Sequence, residues 1–149
     1  MKTRIAKTEY ARALDLLTQY LALRDHSRHE LQQKMSRKFE PTLIQQVIAE
    51  ADANGWIPPE VLIAERAAQV WNSRLKSRSY IEGQLRKRHL PLPPSDLETE
   101  ATKARELIEK KYGPPSELND EDKSKAYRFM KYRGFDDHTI RMVLNGQDF

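Results

Sequence analysis

Cysteine is missing from this 149-residue chain, and that absence excludes a disulfide framework, thiolate zinc sites and a cysteine nucleophile together. No apolar run approaches the ~20 residues that span a bilayer. Met1-Lys2-Thr3-Arg4-Ile5 leads directly into a polar helical pattern, which predicts no signal peptide and a soluble, cytoplasmic protein. Glycine (5) and proline (8) are too few for a fibrous or low-complexity chain. The glycines, at 55, 83, 113, 134 and 146, make neither a phosphate-binding loop nor a dinucleotide fingerprint. Hydrophobic residues are 38% and charged residues 32%, so a chain built on one compact core would be expected to be more apolar.

What is present is helical periodicity, with no sustained period of two. Tyr10, Leu14, Leu17 and Leu21 share a face and predict a first helix over about 9–24. Asp25 or Ser27 caps a second, carrying Leu31 and Met35, and Glu30 makes a capping box with Ser27. Pro41 suits the first turn of a third, with Ile44, Val47, Ile48 and Ala51 as its stripe and Gly55 as its C-cap. Val61, Ala64, Ala68 and Trp71 mark a fourth helix, and Ile81 with Leu85 a fifth. Pro91-Leu92-Pro93-Pro94 is a stiff connector. Leu97, Ala101, Ala104 and Ile108 mark a sixth helix; Asn119 or Asp120 can cap a seventh with Ala126, Phe129 and Met130, ended by Gly134; and Ile140, Val143 and Leu144 fill a short eighth. The fold class is all-α.

The chain also repeats itself. With Leu31, Ile81 and Ala126 as equivalent positions, spaced by 50 and then 45 residues, Met35, Leu85 and Met130 fall four residues later. Arg28, Arg78 and Lys123 lie three before, preceded by residues able to cap: Ser27, Ser77 and Asp122. Phe39, Leu90 and Phe135 supply an apolar residue at the following turn. Repeats of this period stack and bury one another's apolar faces. The expectation is an elongated, curved array of three three-helix units, divided as 1–56, 57–96 (with the Pro-rich connector) and 97–149.

No catalytic constellation emerges, so the expectation is a protein that is not an enzyme and holds no cofactor and no metal. His26 and His29, three apart, read as helix-surface or capping histidines. Asp136-Asp137-His138 reads as the cap and acidic first turn of the last helix. Charge is more informative. The net charge is +4, and cations gather in two clusters. Arg74, Lys76, Arg78, Arg86, Lys87 and Arg88 surround a single acid, Glu82, while Lys131 and Arg133 close a second cluster that begins at Lys123. These eight are the candidate partner- or DNA-binding residues. On the helix from Ser77 to Arg88, Ser79 and Gly83 oppose Ile81 and Leu85 and are flanked by Arg86 and Lys87. A phosphate backbone or an acidic protein edge could approach such a face closely; equally, Gly83 could be a tolerated surface residue. Aromatic interleaving is weak (Tyr80, Tyr127, Tyr132), which argues against a dedicated single-strand stacking platform.

Leu21-Ala22-Leu23-Arg24-Asp25-His26-Ser27-Arg28-His29-Glu30-Leu31-Gln32-Gln33-Lys34-Met35 closely resembles the opening motif of the RecX regulatory proteins. Arg128-Phe129-Met130-Lys131-Tyr132-Arg133-Gly134-Phe135 is similar to their last-repeat signature, Lys111-Tyr112-Gly113 is a third match, and Arg78-Ser79-Tyr80-Ile81 through Leu85 and Arg88 resembles their middle repeat. The chain departs from the family at Gly55-Trp56-Ile57-Pro58-Pro59 and at Arg88-His89-Leu90, and Leu90–Lys111 is short for two full helices. The resemblance implies a modulator of RecA, the recombinase that forms helical filaments on single-stranded DNA. Such a protein binds the filament, restrains its extension and inhibits ATP hydrolysis, strand exchange and coprotease activity. The implied partner is the RecA nucleoprotein filament, with weak, sequence-independent DNA contact, no membrane, and a monomeric state. The competing expectation is a helix-turn-helix DNA-binding transcriptional regulator, reading bases with the Arg78–Arg88 helix.

Overall fold

The computed structural model describes residues 8–146, so the reading of the first five residues lies outside the described residues. Among the described residues there are eight α-helices, one short 3-10 turn at Pro115–Glu117, and no strand. The chain divides into two compact units: everything described up to Ile63 together with Lys87–Pro91, and Ala64–Arg86 together with Leu92 onward.

The first unit holds α1 (Glu9–Leu23), α2 (Arg28–Met35) and α3 (Pro41–Ala53). Their starts follow local chemistry. Thr8 Oγ1 accepts from the Ala11 N–H at 3.1 Å, Ser27 and Glu30 form the reciprocal capping box, and Pro41 opens α3 where its missing N–H costs nothing. The α3 stripe packs with Ala13, Leu17, Leu31, Met35 and Ile57. The α1 stripe is rotated slightly from the expected one: Ala13 and Leu17 are fully buried, while Tyr10, Leu14 and Leu21 flank them half-buried. A small residue at position 13 permits that closer approach.

The second unit contains α5 (Arg78–Lys87) up to Arg86, the later part of α4 (Glu60–Ser73), and then α6 (Leu97–Tyr112), α7 (Asp120–Tyr132) and α8 (Asp137–Leu144). An extended segment precedes α6, so Leu90–Lys111 supplies one helix rather than two. Ala101, Ala104 and Ile108 of α6 pack with Ala126 and Met130 of α7, Phe135, and Ile140, Val143 and Leu144 of α8. Truncating a fully buried Ile or Met here to Ala would cost about 2–5 kcal/mol. Asn119, one of the two expected caps, caps α7: its Oδ1 accepts from the Asp122 N–H at 2.8 Å, so this helix starts a turn earlier than its counterparts in the repeat.

Helix ends matter as much as starts. At α4 and α7 the chain leaves through a left-handed residue, Leu75 (φ 60°) and Gly134 (φ 93°), with a six-to-one hydrogen bond across it: Lys76 N–H to Trp71 O at 3.0 Å, and Phe135 N–H to Met130 O at 3.1 Å. His89 (φ 53°) holds the corresponding place after α5. Left-handed backbone at Leu75 and His89 is strained, and surrounding contacts must hold it.

Candidate partner-binding surface

The basic segment from Arg74 to Arg88 is sorted by the fold into side chains that face outward and side chains used internally. Arg74, just after α4, is exposed and makes no ion pair among the described residues. Lys76 is half-buried, with its ammonium 4.9 Å from the Tyr80 ring centre. Arg78 is turned along its own helix, Nε donating to Glu82 Oε1 at 2.9 Å. Arg86 reaches the other Glu82 oxygen at 3.6 Å but stays 67% exposed. Lys87 is exposed and makes no ion pair among the described residues.

Arg88 is different. Its Nε donates to Glu30 Oε1 and its terminal nitrogen to the Asp25 carbonyl, both at 3.1 Å. Burial opposes charge on Glu30, but hydrogen bonds from Arg24 and the Ser27 N–H, with the charges of Arg88 and Arg24, outweigh it and hold the carboxyl below its ordinary pKa. The Ser27 hydroxyl accepts from the Glu30 N–H and donates to the Arg88 carbonyl, each at 3.1 Å. Arg88 therefore closes a structural knot in the first unit.

A second knot lies in the second unit. Lys103, only 4% exposed, pairs with Glu100 and donates to Asn72 Oδ1 at 2.6 Å and to the Lys76 carbonyl at 2.8 Å. Glu100 Oε1 accepts from the Arg78 N–H at 2.7 Å, satisfying the first turn of α5. Nothing in the local pattern marks this lysine as buried, since it sits among surface-type residues in a charged helix.

Lys131 is exposed and Arg133 half-buried, its guanidinium 5.8 Å from the Phe129 ring. Between them Tyr132 is 90% exposed. The turn they belong to rests against the start of α5: a Cβ on Gly134 would lie 2.7 Å from Ser77 Oγ and 3.7 Å from Ser79 Cβ. The second cluster is thus brought next to the Lys76–Arg78 end of the first. Ser79 meets Gly134, while Gly83 has open space where a side chain would stand.

His26 corrects the surface-or-cap expectation. It is 1% exposed in the α1–α2 turn, and burial lowers its pKa. His29 stacks on His89, ring centres 3.5 Å apart. Among the described residues no three His, Cys, Asp or Glu side chains gather as a metal ion would require, and no helix is long and apolar enough to cross a membrane. One basic feature escaped the sequence reading: Lys34, Arg37 and Lys38 line a cleft of about 490 Å³ with Tyr20, Gln33 and Ser36. Three cations over five residues raise no alarm in a chain that is 32% charged. Aligning the turns after Met35, Leu85 and Met130 would have exposed them.

Comparison with known proteins agrees with this architecture. The family description for the first three-helix domain of RecX matches residues 10–50, and that for the third three-helix domain matches residues 98–144. The chain is 30% identical over 136 residues to the regulatory protein RecX of Ralstonia pickettii, covering 87% of this chain and 84% of that one. It is 28% identical over 135 residues to that of Leptothrix cholodnii, covering 87% and 85%. Among solved structures, RecX from Lactobacillus salivarius superposes with a TM-score of 0.78 at 17% identity, over 92% of this chain and 95% of that one. A second structure, of regulatory protein RecX, gives 0.73 at 15% identity, over 97% and 82%.

Proposed function

Because this chain belongs to the RecX family of regulatory proteins, we propose that it modulates RecA by binding the filament that RecA forms on single-stranded DNA. In this reading it restrains filament extension and so lowers ATP hydrolysis, strand exchange and coprotease activity. It acts as a cytoplasmic monomer without a cofactor. The observation that carries the reading is the match to the regulatory protein of Ralstonia pickettii, 30% identical across 87% of this chain.

The chemistry of the surface supports it. Arg74, Arg86, Lys87 and Lys131 present outward charge, and an acidic filament surface or its DNA phosphates would complement them. Contacts distributed over three repeats are individually weak and add by multivalency, which favours the assembled filament over single RecA subunits. Arg78 and Arg88 take a supporting role here, the first turned to Glu82 along its own helix and the second to Glu30 in the first unit.

The test is ATP hydrolysis by preformed RecA filaments, titrated with this protein below the RecA concentration. Inhibition well before equimolar protein is the expected result. No effect at equimolar protein, together with tight, sequence-specific binding to duplex DNA, would overturn the reading in favour of a helix-turn-helix regulator.

A further inference from the structure

Tyr132 is the most exposed large hydrophobic side chain among the described residues, and it stands between Lys131 and Arg133 at the end of α7. It buries almost nothing within its own chain, although a tyrosine can bury about 150–250 Å². The other exposed candidates are already engaged. Tyr80 meets the Trp71 ring edge-on, centres 6.2 Å apart, and carries the Lys76 ammonium over its face. Leu23 has one cation beside it, Arg24, and that guanidinium is bonded to Glu30 at 2.6 Å. An aromatic ring set between two cations has the composition of an interface anchor.

A cleft of about 840 Å³ in the first unit complements it. Ile57, Pro59, Val61, Leu90 and Pro91 give the cleft an apolar lining, and Val61 is 59% exposed. Its polar lining has the opposite sign to most of the surface. Asp52 and Glu60 share a single cation, Arg28, which pairs with Asp52 and stands 3.9 Å from Glu60. His89, stacked on His29, completes the lining. Counted with histidine neutral, two acids and one guanidinium leave a net negative cleft in a chain whose net charge is +4. Such a cleft repels phosphates and attracts cations. Ile57, Pro59, His89 and Leu90 fall in the two stretches where the chain departs from the RecX pattern, so that pattern does not supply this cleft.

We propose that Tyr132 of one copy seats in the first-unit cleft of a second copy, with Lys131 and Arg133 set against Asp52 and Glu60. The ring meets the apolar lining and the flanking cations meet the carboxylates. Its 90% exposure shows that Tyr132 does not fill the cleft of its own chain. The contact is head to tail, because each copy offers one cleft and one anchor. A single anchor buries far less than the roughly 1,200 Å² of a stable interface, so the dilute chain stays monomeric. Copies join where they are concentrated, as when several are held on one partner at high effective concentration.

The experiment is heteronuclear NMR of the isotope-labelled full chain over a concentration series at neutral pH, with no RecA present. Amide shifts that grow with concentration are expected around the cleft and at the turn that carries Tyr132. Asp52→Lys/Glu60→Lys and Lys131→Glu/Arg133→Glu should each abolish those shifts, because cleft and anchor then carry the same sign. Mixing the two variants should restore them, since reversed cleft meets reversed anchor and parent anchor meets parent cleft. Tyr132→Ala should weaken the association roughly tenfold or more, as loss of an aromatic anchor does. Circular dichroism checks folding, and the neutral pair Asp52→Asn/Glu60→Gln should still weaken the association if a reversal unfolds the chain.

Parent spectra that do not change with concentration would overturn the proposal. So would reversal variants that each associate like the parent, or a mixture of them that stays apart. Parent-like association of Tyr132→Ala would reduce the contact to charge and remove the anchor. Unchanging parent spectra, together with weaker inhibition of RecA ATPase by the cleft reversal, would assign the cleft to RecA instead. Because the NMR samples omit RecA, their failure leaves the RecA reading standing, and failure of that reading leaves this one untouched.

Discussion

Ser27 donates a hydrogen bond across 3.1 Å to the carbonyl of Arg88, 61 residues further along the chain. The serine that caps the second helix of one repeat thus meets the turn that closes the second helix of the next. The same relation recurs in the second unit, where Ser77 caps α5 by accepting from the Tyr80 N–H at 3.1 Å and packs against Gly134 in the turn after α7. Both serines are buried, because each is covered by the turn it touches. A capping hydroxyl therefore does two tasks, starting one helix and meeting a turn far along the chain.

That relation makes Gly134 sensitive on two counts. Its φ of 93° suits glycine, and a Cβ would stand 2.7 Å from Ser77 Oγ. Gly55 has a similar φ of 70° but nothing within 4 Å. Gly55→Ala should cost about 1 kcal/mol, the left-handed backbone penalty alone. Gly134→Ala should cost more, about 2–3 kcal/mol, with overpacking added. Urea unfolding of both variants checks this, and equal costs would show that the turn yields freely.

Arg86, Lys87 and Arg88 are consecutive yet should behave differently. Arg86→Glu/Lys87→Glu should leave stability within about 0.5 kcal/mol, as exposed substitutions do, and raise the concentration needed to inhibit RecA filament ATPase. Arg88→Ala should destabilise by about 2–3 kcal/mol, since Glu30 and the Asp25 carbonyl lose a half-buried partner. Thermal unfolding beside the ATPase titration separates the two effects.

Lys103 is the buried charge of the second unit. Lys103→Met leaves Glu100 and the Lys76 carbonyl without their cation and should cost about 3 kcal/mol. Adding Glu100→Gln should recover part of that loss, because the orphaned carboxylate is then neutral. A double-mutant cycle by chemical denaturation measures the coupling; strictly additive losses would mean that the pair contributes nothing as a pair.

His26 should make the first unit acid-sensitive. Lys34 can only donate to Nε2, so the proton sits on Nδ1, 3.0 Å from the Arg24 carbonyl, and the folded ring is neutral. Burial lowers its pKa below that of the unfolded chain, so the unfolded state takes up a proton first. Stability should be flat above about pH 6.5 and fall as pH drops from there through the lower folded value. Glu30, whose pKa is also lowered, adds a second loss only near and below the ordinary carboxylate range. Urea midpoints at pH 7.5 and 5.5 test this, and His26→Gln should flatten the difference.

The helices, their caps and the repeat were legible in the primary structure. Apolar spacing, Ser27 with Glu30, Pro41 and the Pro91–Pro94 connector act within a few residues of themselves, so local physics decides them. It also carried the family likeness, since the Arg24–Met35 motif is local. What each charge does depends on contacts between residues far apart in the chain. Arg88 and Lys87 are neighbours in sequence, but one turns to Glu30, 58 residues away, and the other to solvent. Burial of His26 and Lys103, exposure of Tyr132 and the gathering of Lys34, Arg37 and Lys38 around one cleft likewise depend on which elements meet. Helical periodicity tells which face is apolar; it does not tell which polar side chain the next repeat will cover.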